Sequence, residues 1–342
     1  PVDPPVHGPQ RGGFLVTRNN STSDSLPNDD PFAGYEVEGF FDEIFTADGE
    51  ARPPYRSLIA RLRAISIEEL GRRERLRDAI FRSLGITFNV YGEAAGVERV
   101  WPMDLVPRII PADEWAPVEK GLIQRVTALN KFLDDLYVGE AAAIADGIVP
   151  RSLVMSADGF EREAFGIAVP HAARCMVSGV DLVRDGNGVY RVLEDNLRTP
   201  SGISYVLENR ATLTRVLPLA FAQHRVRPVS HYPASLLAAL RSVAPAAAGN
   251  PRVVVLTPGA YNSAYFEHAF LARQMGVELV EGRDLVVDEH VVYLRTTRGL
   301  ERVDVVYRRI DDSFLDPAVF RNDSTLGVPG IVNAARAGNV TI

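Results

Sequence analysis

The sequence is short of cysteine, lysine and long apolar runs, and each shortage excludes something. A single cysteine, Cys175, rules out an internal disulfide framework and any zinc site built on several cysteines. No apolar run approaches the roughly 20 residues that a membrane-spanning helix requires. The N-terminus carries no apolar stretch of the secretory kind, so a cytoplasmic location is expected. A basic surplus is also missing, since the formal net charge is -7. Non-specific nucleic-acid binders draw their affinity from phosphate neutralisation. Neither nucleic acid nor a membrane is therefore expected as a partner. The histidines show no metal spacing such as HExxH, and no GxSxG nucleophile elbow occurs. Positive charge is almost wholly arginine, because the only lysines are Lys120 and Lys131.

What remains is an ordinary soluble composition, long enough for two or three domains. Residues 1–30 are rich in Pro, Gly, Asn and Ser and read as a mobile arm. Residues 31–150 read as mostly helical. A short helix is expected over 35–45. Ser66, with Glu69 three residues on, opens a helix that stops at Gly85. A strand over 86–91 follows. Asp113 is the expected N-cap of a long helix whose apolar stripe runs from Trp115 through Leu122 and Leu129 to Leu136. Residues 151–242 turn to strands, with runs over 179–184 and 189–196 separated by Asp185-Gly186-Asn187-Gly188. A helix over 205–224 and a linker over 243–251 come next. Residues 251–342 read as an α/β unit: a buried strand over 253–257, a helix from near Asn262 to Gly276, and strands over 277–280 and 303–307.

The hairpin carries the first candidate chemistry. Side chains alternate along a strand, so Tyr190, Val192, Glu194 and Asn196 are expected on one face. An even loop over 185–188 sets Asp181 opposite Val192, diagonal to Glu194 and about 7–8 Å away at the backbone. An odd loop would turn Asp181 away. Two carboxylates and an amide oxygen suit Mg²⁺, although an exposed hairpin with a merely solvated polar face has the same pattern. The loop from Arg198 through Pro200, Ser201 and Gly202 offers a cation, a hydroxyl and backbone N–H groups to an anion. Gly259, Tyr261, Asn262 and Ser263 stand where a buried strand gives way to a helix, a position that attracts anions and substrates. Arg308 and Arg309 end another strand and are able to clamp a carboxylate or phosphate. Asp311 and Asp312 orient them or bind an amine.

Taken together, these segments resemble the circularly permuted type 2 ATP-grasp family. The residues that carry the resemblance are Gly179-Val180-Asp181-Leu182-Val183-Arg184-Asp185, Val192-Leu193-Glu194-Asp195-Asn196-Leu197-Arg198, Pro200-Ser201-Gly202, Trp101-Pro102, Pro107-Arg108-Ile109-Ile110-Pro111, and the segments 205–210, 261–268, 282–285 and 307–312. The order is similar to that of glutathionylspermidine synthetases and eukaryotic glutathione synthetases. The resemblance implies a permuted ATP-grasp-like α/β fold with a helical N-terminal region and a C-terminal α/β substrate domain. It implies ATP and Mg²⁺, and a ligase that joins a small-molecule or peptide carboxylate to an amine through an acyl phosphate. Glu194 and Asn196 match the family's Glu-x-Asn metal pair, and Asp181 matches the acid on the preceding strand. Arg198, Arg308 and Arg309 are then the catalytic arginines. Ser201 and Gly202 contact the nucleotide, while Gly259, Tyr261, Asn262, Ser263, Asp311 and Asp312 contact substrate. Two departures stand out. Gly179 occupies the place of a family arginine, and no lysine lies where the family grips the nucleotide. The expectation is therefore a fragment holding half an ATP site. A non-catalytic binding module and a metal-dependent phosphoesterase are the alternatives.

Overall fold

Ser66 begins the first long helix as its spacing predicts. The structure, a computed structural model, describes residues 30–37, 39, 41–89, 98–246 and 248–342. The expected arm lies outside these apart from Asp30, as do positions 90 and 91 of the expected strand. Described residues between 35 and 45 form irregular chain with bends instead of a helix. Asp42 is the physical reason, since its carboxylate accepts the N–H groups of Ile44 and Phe45 at 2.8 and 2.6 Å. Such local bonds compete with helical ones.

Helix α1 (Arg56–Arg63) buries Leu58, Ile59 and Leu62 against Phe45 and Tyr55. Helix α2 (Ile67–Leu84) is capped by Ser66, whose hydroxyl accepts the Glu69 N–H at 3.2 Å. Gly85 ends it at φ 69°. The Glu69 side chain turns to Arg72 and Arg73. Phe81, fully buried, packs with Ile86 and Met103. Strands β1 (Thr87–Asn89) and β2 (Glu98–Val100) pair antiparallel. Helix α3 (Ala112–Val138) starts after Pro111, so Asp113 sits inside the first turn and not at the cap. Two short helices follow, α4 (Ala142–Ala145) and α5 (Arg151–Met155).

The hairpin comprises β3 (Gly179–Arg184) and β4 (Tyr190–Asn196). The single helix expected after it is two, α6 (Ile203–Val216) and α7 (Pro218–Gln223). Pro218 forces the break, because its ring and missing N–H cannot continue a helix. Helix α8 (Tyr232–Ser242) was not expected.

The C-terminal part is built on a three-stranded parallel sheet. Its centre is β5 (Val253–Leu256), flanked by β6 (Glu278–Val280) and β10 (Val305–Arg308). Between β5 and β6 runs α9 (Tyr265–Met275). An antiparallel meander, β7 (Leu285–Asp288), β8 (Val291–Thr296) and β9 (Gly299–Arg302), leads to β10. The chain then forms α10 (Asp312–Leu315) and α11 (Ile331–Arg336), and Thr341 bridges Val305 in parallel. Val254 and Leu256 pack with the meander and α11, whereas Val253 and Val255 pack with α8 and α9. Both faces of β5 are covered, which is why its sequence is an unbroken apolar run. No helix among the described residues is long and apolar enough to cross a membrane.

Candidate functional site

The hairpin loop is odd. Arg184 pairs with Tyr190, which leaves residues 185–189 in the turn. Asp185 organises that turn by accepting the N–H groups of Asn187 and Val189 at 3.0 and 2.9 Å. The Val189 N–H, helped by Arg191, holds the Asp185 carboxyl below the usual range. An odd loop alone would turn Asp181 away from Glu194. A β-bulge reverses this: Leu182 pairs with Val192, but Asp181 pairs with Glu194, and Leu193 is the extra residue. Asp181 therefore stands directly across from Glu194. Such partners have Cβ atoms about 4.5–5.5 Å apart, closer than the expected diagonal. Asn196 follows on the same face, and its Nδ2 donates to Glu194 Oε1 at 3.0 Å. With its amide donor so engaged, Asn196 keeps Oδ1 as an acceptor. All three side chains are exposed.

The bulge also separates residues expected together. Tyr190 and Val192 face α3, opposite to Glu194. With Leu182, Arg184 and the α3 residues Val118 and Leu122 they line a cleft of about 840 Å³. Asp195 points the same way and takes both ends of the Arg125 guanidinium at 2.6–3.0 Å. Arg125 holds the Asp195 carboxyl below its ordinary range.

The acid face presents two carboxylates and one amide oxygen. Among the described residues, no three His, Cys, Asp or Glu gather as a metal cage. Mg²⁺ commonly takes one or two carboxylates and completes its shell with water and phosphate. The donor set fits that ion.

Beside the hairpin lies a linked cluster of charges. Gly179 allows its approach, because a Cβ there would sit 2.7 Å from Pro200 Cβ. This contact explains why no arginine occupies the position. Arg198, with 57% of its side chain exposed, reaches Asp311 at 3.5 Å and Asp312 at 3.6 Å. Arg308 is bound to Asp312 at 2.5 Å and to the Ile310 carbonyl at 2.9 Å. Asp311 caps α10 by accepting the Ser313 N–H at 3.2 Å. Glu161 adjoins the same cluster. Burial, with Asp312, Glu163 and Asp311 nearby, pushes its carboxyl up. Arg309 is buried. It donates to Ser201 Oγ, to Glu267 Oε1 at 3.3 Å and to the Thr199 carbonyl at 3.4 Å. Glu267 Oε2 in turn accepts the N–H groups of Gly202 and Ser204 at 2.7 and 3.1 Å, and Ser204 Oγ at 2.9 Å. The Gly202 N–H that the sequence offers to an anion is thus engaged from within. Sequence reasoning missed Glu161 and Glu267. The one signal for Glu267 is a lone acid in the otherwise aromatic and apolar start of α9.

The strand-to-helix turn is held locally. Thr257 Oγ1 bonds His268 Nδ1 at 2.8 Å and accepts the Gly259 N–H at 3.2 Å. Burial, with Arg309 second, pushes the His268 imidazole down to about 3. Asn262 accepts the Ala264 N–H at 2.9 Å, and α9 begins at Tyr265, later than expected. Tyr261 and Ser263 are exposed. The structure thus joins Arg198, Arg308, Arg309, Ser201, Gly202, Asp311 and Asp312 in one cluster, while Tyr261, Asn262 and Ser263 occupy a separate exposed turn.

Residues 107–342 match the family model described as a circularly permuted ATPgrasp. An uncharacterized protein of Mycobacterium tuberculosis (strain ATCC 25618 / H37Rv) is 54% identical over 315 residues, covering 91% of this chain and 56% of that protein. A Frankia alni protein provisionally named glutamate–cysteine ligase 2-3 is 44% identical over 311 residues, covering 90% of this chain and 35% of that protein. The chain thus spans about half the length of the mycobacterial relative and less of the other. Among solved structures, a glutathione synthetase-like effector of Globodera pallida in its apo form superposes with a TM-score of 0.50 at 15% identity, over 80% of this chain and 64% of that one. That likeness concerns the fold alone.

Proposed function

The chain belongs to the circularly permuted ATP-grasp family, and from that premise we propose that it carries the metal-binding acids of an ATP- and Mg²⁺-dependent carboxylate–amine ligase. The observation that carries this reading is the direct pairing of Asp181 with Glu194, with Asn196 next on the same open face. On this reading residues 151–242 are the ATP-grasp part, and 251–342 belong to the substrate domain.

Asp181, Glu194 and Asn196 Oδ1 would hold Mg²⁺, which would supply neutralisation of nucleotide phosphates during phosphoryl transfer. The chain's own residues then bind and orient. Arg198 is exposed and its ion pairs among the described residues are long, so its guanidinium is free to move onto a substrate carboxylate or acyl phosphate. Asp311, left without its ion-pair partner by that movement, suits a cationic amine. Glu161, whose carboxyl burial pushes up, is placed to take the proton that the amine loses on forming the amide. Arg308 stays on Asp312, and buried Arg309 braces Ser201. The name of the Frankia relative makes amino-acid acids and amines the first substrates to try.

The test is ADP release with Mg²⁺ and pooled carboxylates, using hydroxylamine as the amine. ADP formed only with an acid present, together with a hydroxamate product, supports ligation. Glu194→Gln is expected to remove Mg²⁺-dependent turnover while far-UV circular dichroism stays unchanged. Phosphate release from nucleotide with neither acid nor amine would instead favour the phosphoesterase alternative.

A further inference from the structure

The geometry points to Glu267 as a positioning residue for the loop between β4 and α6, a role that rests on the ligase reading above. Glu267 is 0% exposed and Arg309 is 5% exposed. Their ion pair gathers four positions of one loop: Thr199 and Ser201 through Arg309, Gly202 and Ser204 through Glu267.

The loop has no such restraint of its own. Gly202, at φ 120°, occupies the N-cap position of α6 and has no side chain to cap it. Glu267 supplies the missing acceptor from another helix. A carboxylate at a helix N-terminus also meets the positive end of the helix dipole. An ion pair placed here for stability alone would be poorly finished. Arg309 Nε is buried without a partner, and buried charge pairs stabilise only when every hydrogen bond is satisfied. The feature better served is geometry.

The loop's neighbours show what that geometry controls. Pro200 packs on Gly179 at the start of β3, the strand that carries Asp181. Arg198 precedes the pinned segment and meets Asp311 and Asp312. Fixing residues 199–204 on α9 therefore fixes the distance between the acid face and the arginine proposed to hold the substrate carboxylate. Glu267 itself, buried behind the loop, touches neither.

The test compares hydrogen exchange and kinetics in the wild-type chain, Glu267→Gln and Val254→Ala. Val254 is buried in β5, packs with the meander and lowers stability without touching the loop when truncated. Glu267→Gln keeps an amide acceptor but loses the charge facing Arg309. It is expected to speed exchange at Gly202 and Ser204 by about tenfold or more, with Val254→Ala within about twofold of wild type. In the ADP-release assay it is expected to lower kcat by about tenfold with KM for MgATP within about threefold. Arg309→Met, which removes every donor to Glu267, Ser201 and Thr199 but keeps an unbranched side chain, repeats the test if Glu267→Gln does not fold. Equal loop exchange in Glu267→Gln and Val254→Ala, unchanged exchange in Glu267→Gln, or a rise in KM alone would overturn the assignment. A wild-type chain that neither takes up Mg²⁺ nor releases ADP removes the ligase reading, and the exchange comparison then decides the role of Glu267 alone.

Discussion

Deleting Leu193 is expected to leave the acid face intact. In a regular strand the loss of one residue turns every later side chain to the other face. Here Leu193 is the extra residue of the bulge, so its removal joins Val192 directly to Glu194. Glu194 still pairs with Asp181, and Asn196 still pairs with Gly179. The energetic cost is small on both sides of the ledger. Leu193 is 67% exposed. Fully burying a leucine is worth about 1.5–3 kcal/mol, so the buried third contributes about 1 kcal/mol at most. Closing the bulge regularises the ladder and returns about 0.5–1.5 kcal/mol per hydrogen bond gained. The net change in unfolding free energy is expected within about 1 kcal/mol. Deleting Asp195 is the contrasting perturbation. It removes the partner of Arg125 and swings Asn196 onto the α3 side. Mn²⁺ titration by water-proton relaxation reads the acid face, and urea unfolding reads stability. Cation affinity is expected to hold within about threefold for the Leu193 deletion and to fall about tenfold or more for the Asp195 deletion, since a ligand is lost. Loss of affinity in the Leu193 deletion, with retention in the Asp195 deletion, would refute the register argument.

Two further perturbations test the frame around the site. Phe81→Ala empties a fully buried position between α2 and the Trp101 region and is expected to cost about 3–5 kcal/mol in urea unfolding; a cost below about 1 kcal/mol would contradict the packing. His268 sets a pH dependence. Its imidazole is pushed down to about 3, whereas the unfolded chain protonates near the ordinary value of about 6.5. The unfolded state thus binds the extra proton, and stability present above about 6.5 is lost as pH falls toward 3, with a slope of up to about 1.4 kcal/mol per pH unit. Between pH 7 and 5 the wild type is expected to lose about 2 kcal/mol more than His268→Gln, which can still bond Thr257; parallel losses would show that His268 titrates normally.

What the sequence discloses depends on whether the deciding force is local. The start and stop of α2 are local events at Ser66 and Gly85, and both are readable. The run over β5 is readable because burial on both faces leaves no polar alternation. The Asp185-Gly186-Asn187-Gly188 turn announces a hairpin but not its parity. Parity follows from an Asp185-centred five-residue loop and a bulge, and each reverses the effect of the other. The expected grouping of Asp181 with Glu194 therefore holds, while the expected grouping of Tyr190 with Glu194 does not. The meander escaped notice because Glu289 and His290 make its first turn at φ 46° and 62° without glycine or asparagine. Glu267 was invisible for another reason: its partners, Gly202, Ser204 and Arg309, come from distant stretches of chain.

The scarcity of lysine acquires a geometric meaning from these contacts. The arginines around the hairpin do work that an ammonium cannot. Arg125 grips Asp195 with two nitrogens, Arg184 lies over the rings of Phe41 and Tyr190, and Arg309 bonds Tyr307 through Nη1 while Nη2 reaches Thr199, Ser201 and Glu267. Planar donors in a fixed fork suit such bracing, whereas lysine offers a single mobile charge. The two lysines, Lys120 and Lys131, are exposed on α3. That helix packs along the side of the hairpin lined by Leu182 and Val192, opposite to Asp181 and Glu194. A nucleotide whose phosphates meet the acid face would have the hairpin between itself and α3. Among the described residues, Arg198, Arg308 and Arg309 pair with Asp311, Asp312 and Glu267 and not with the acid face, so a lysine grip on the phosphates would have to approach from the open side.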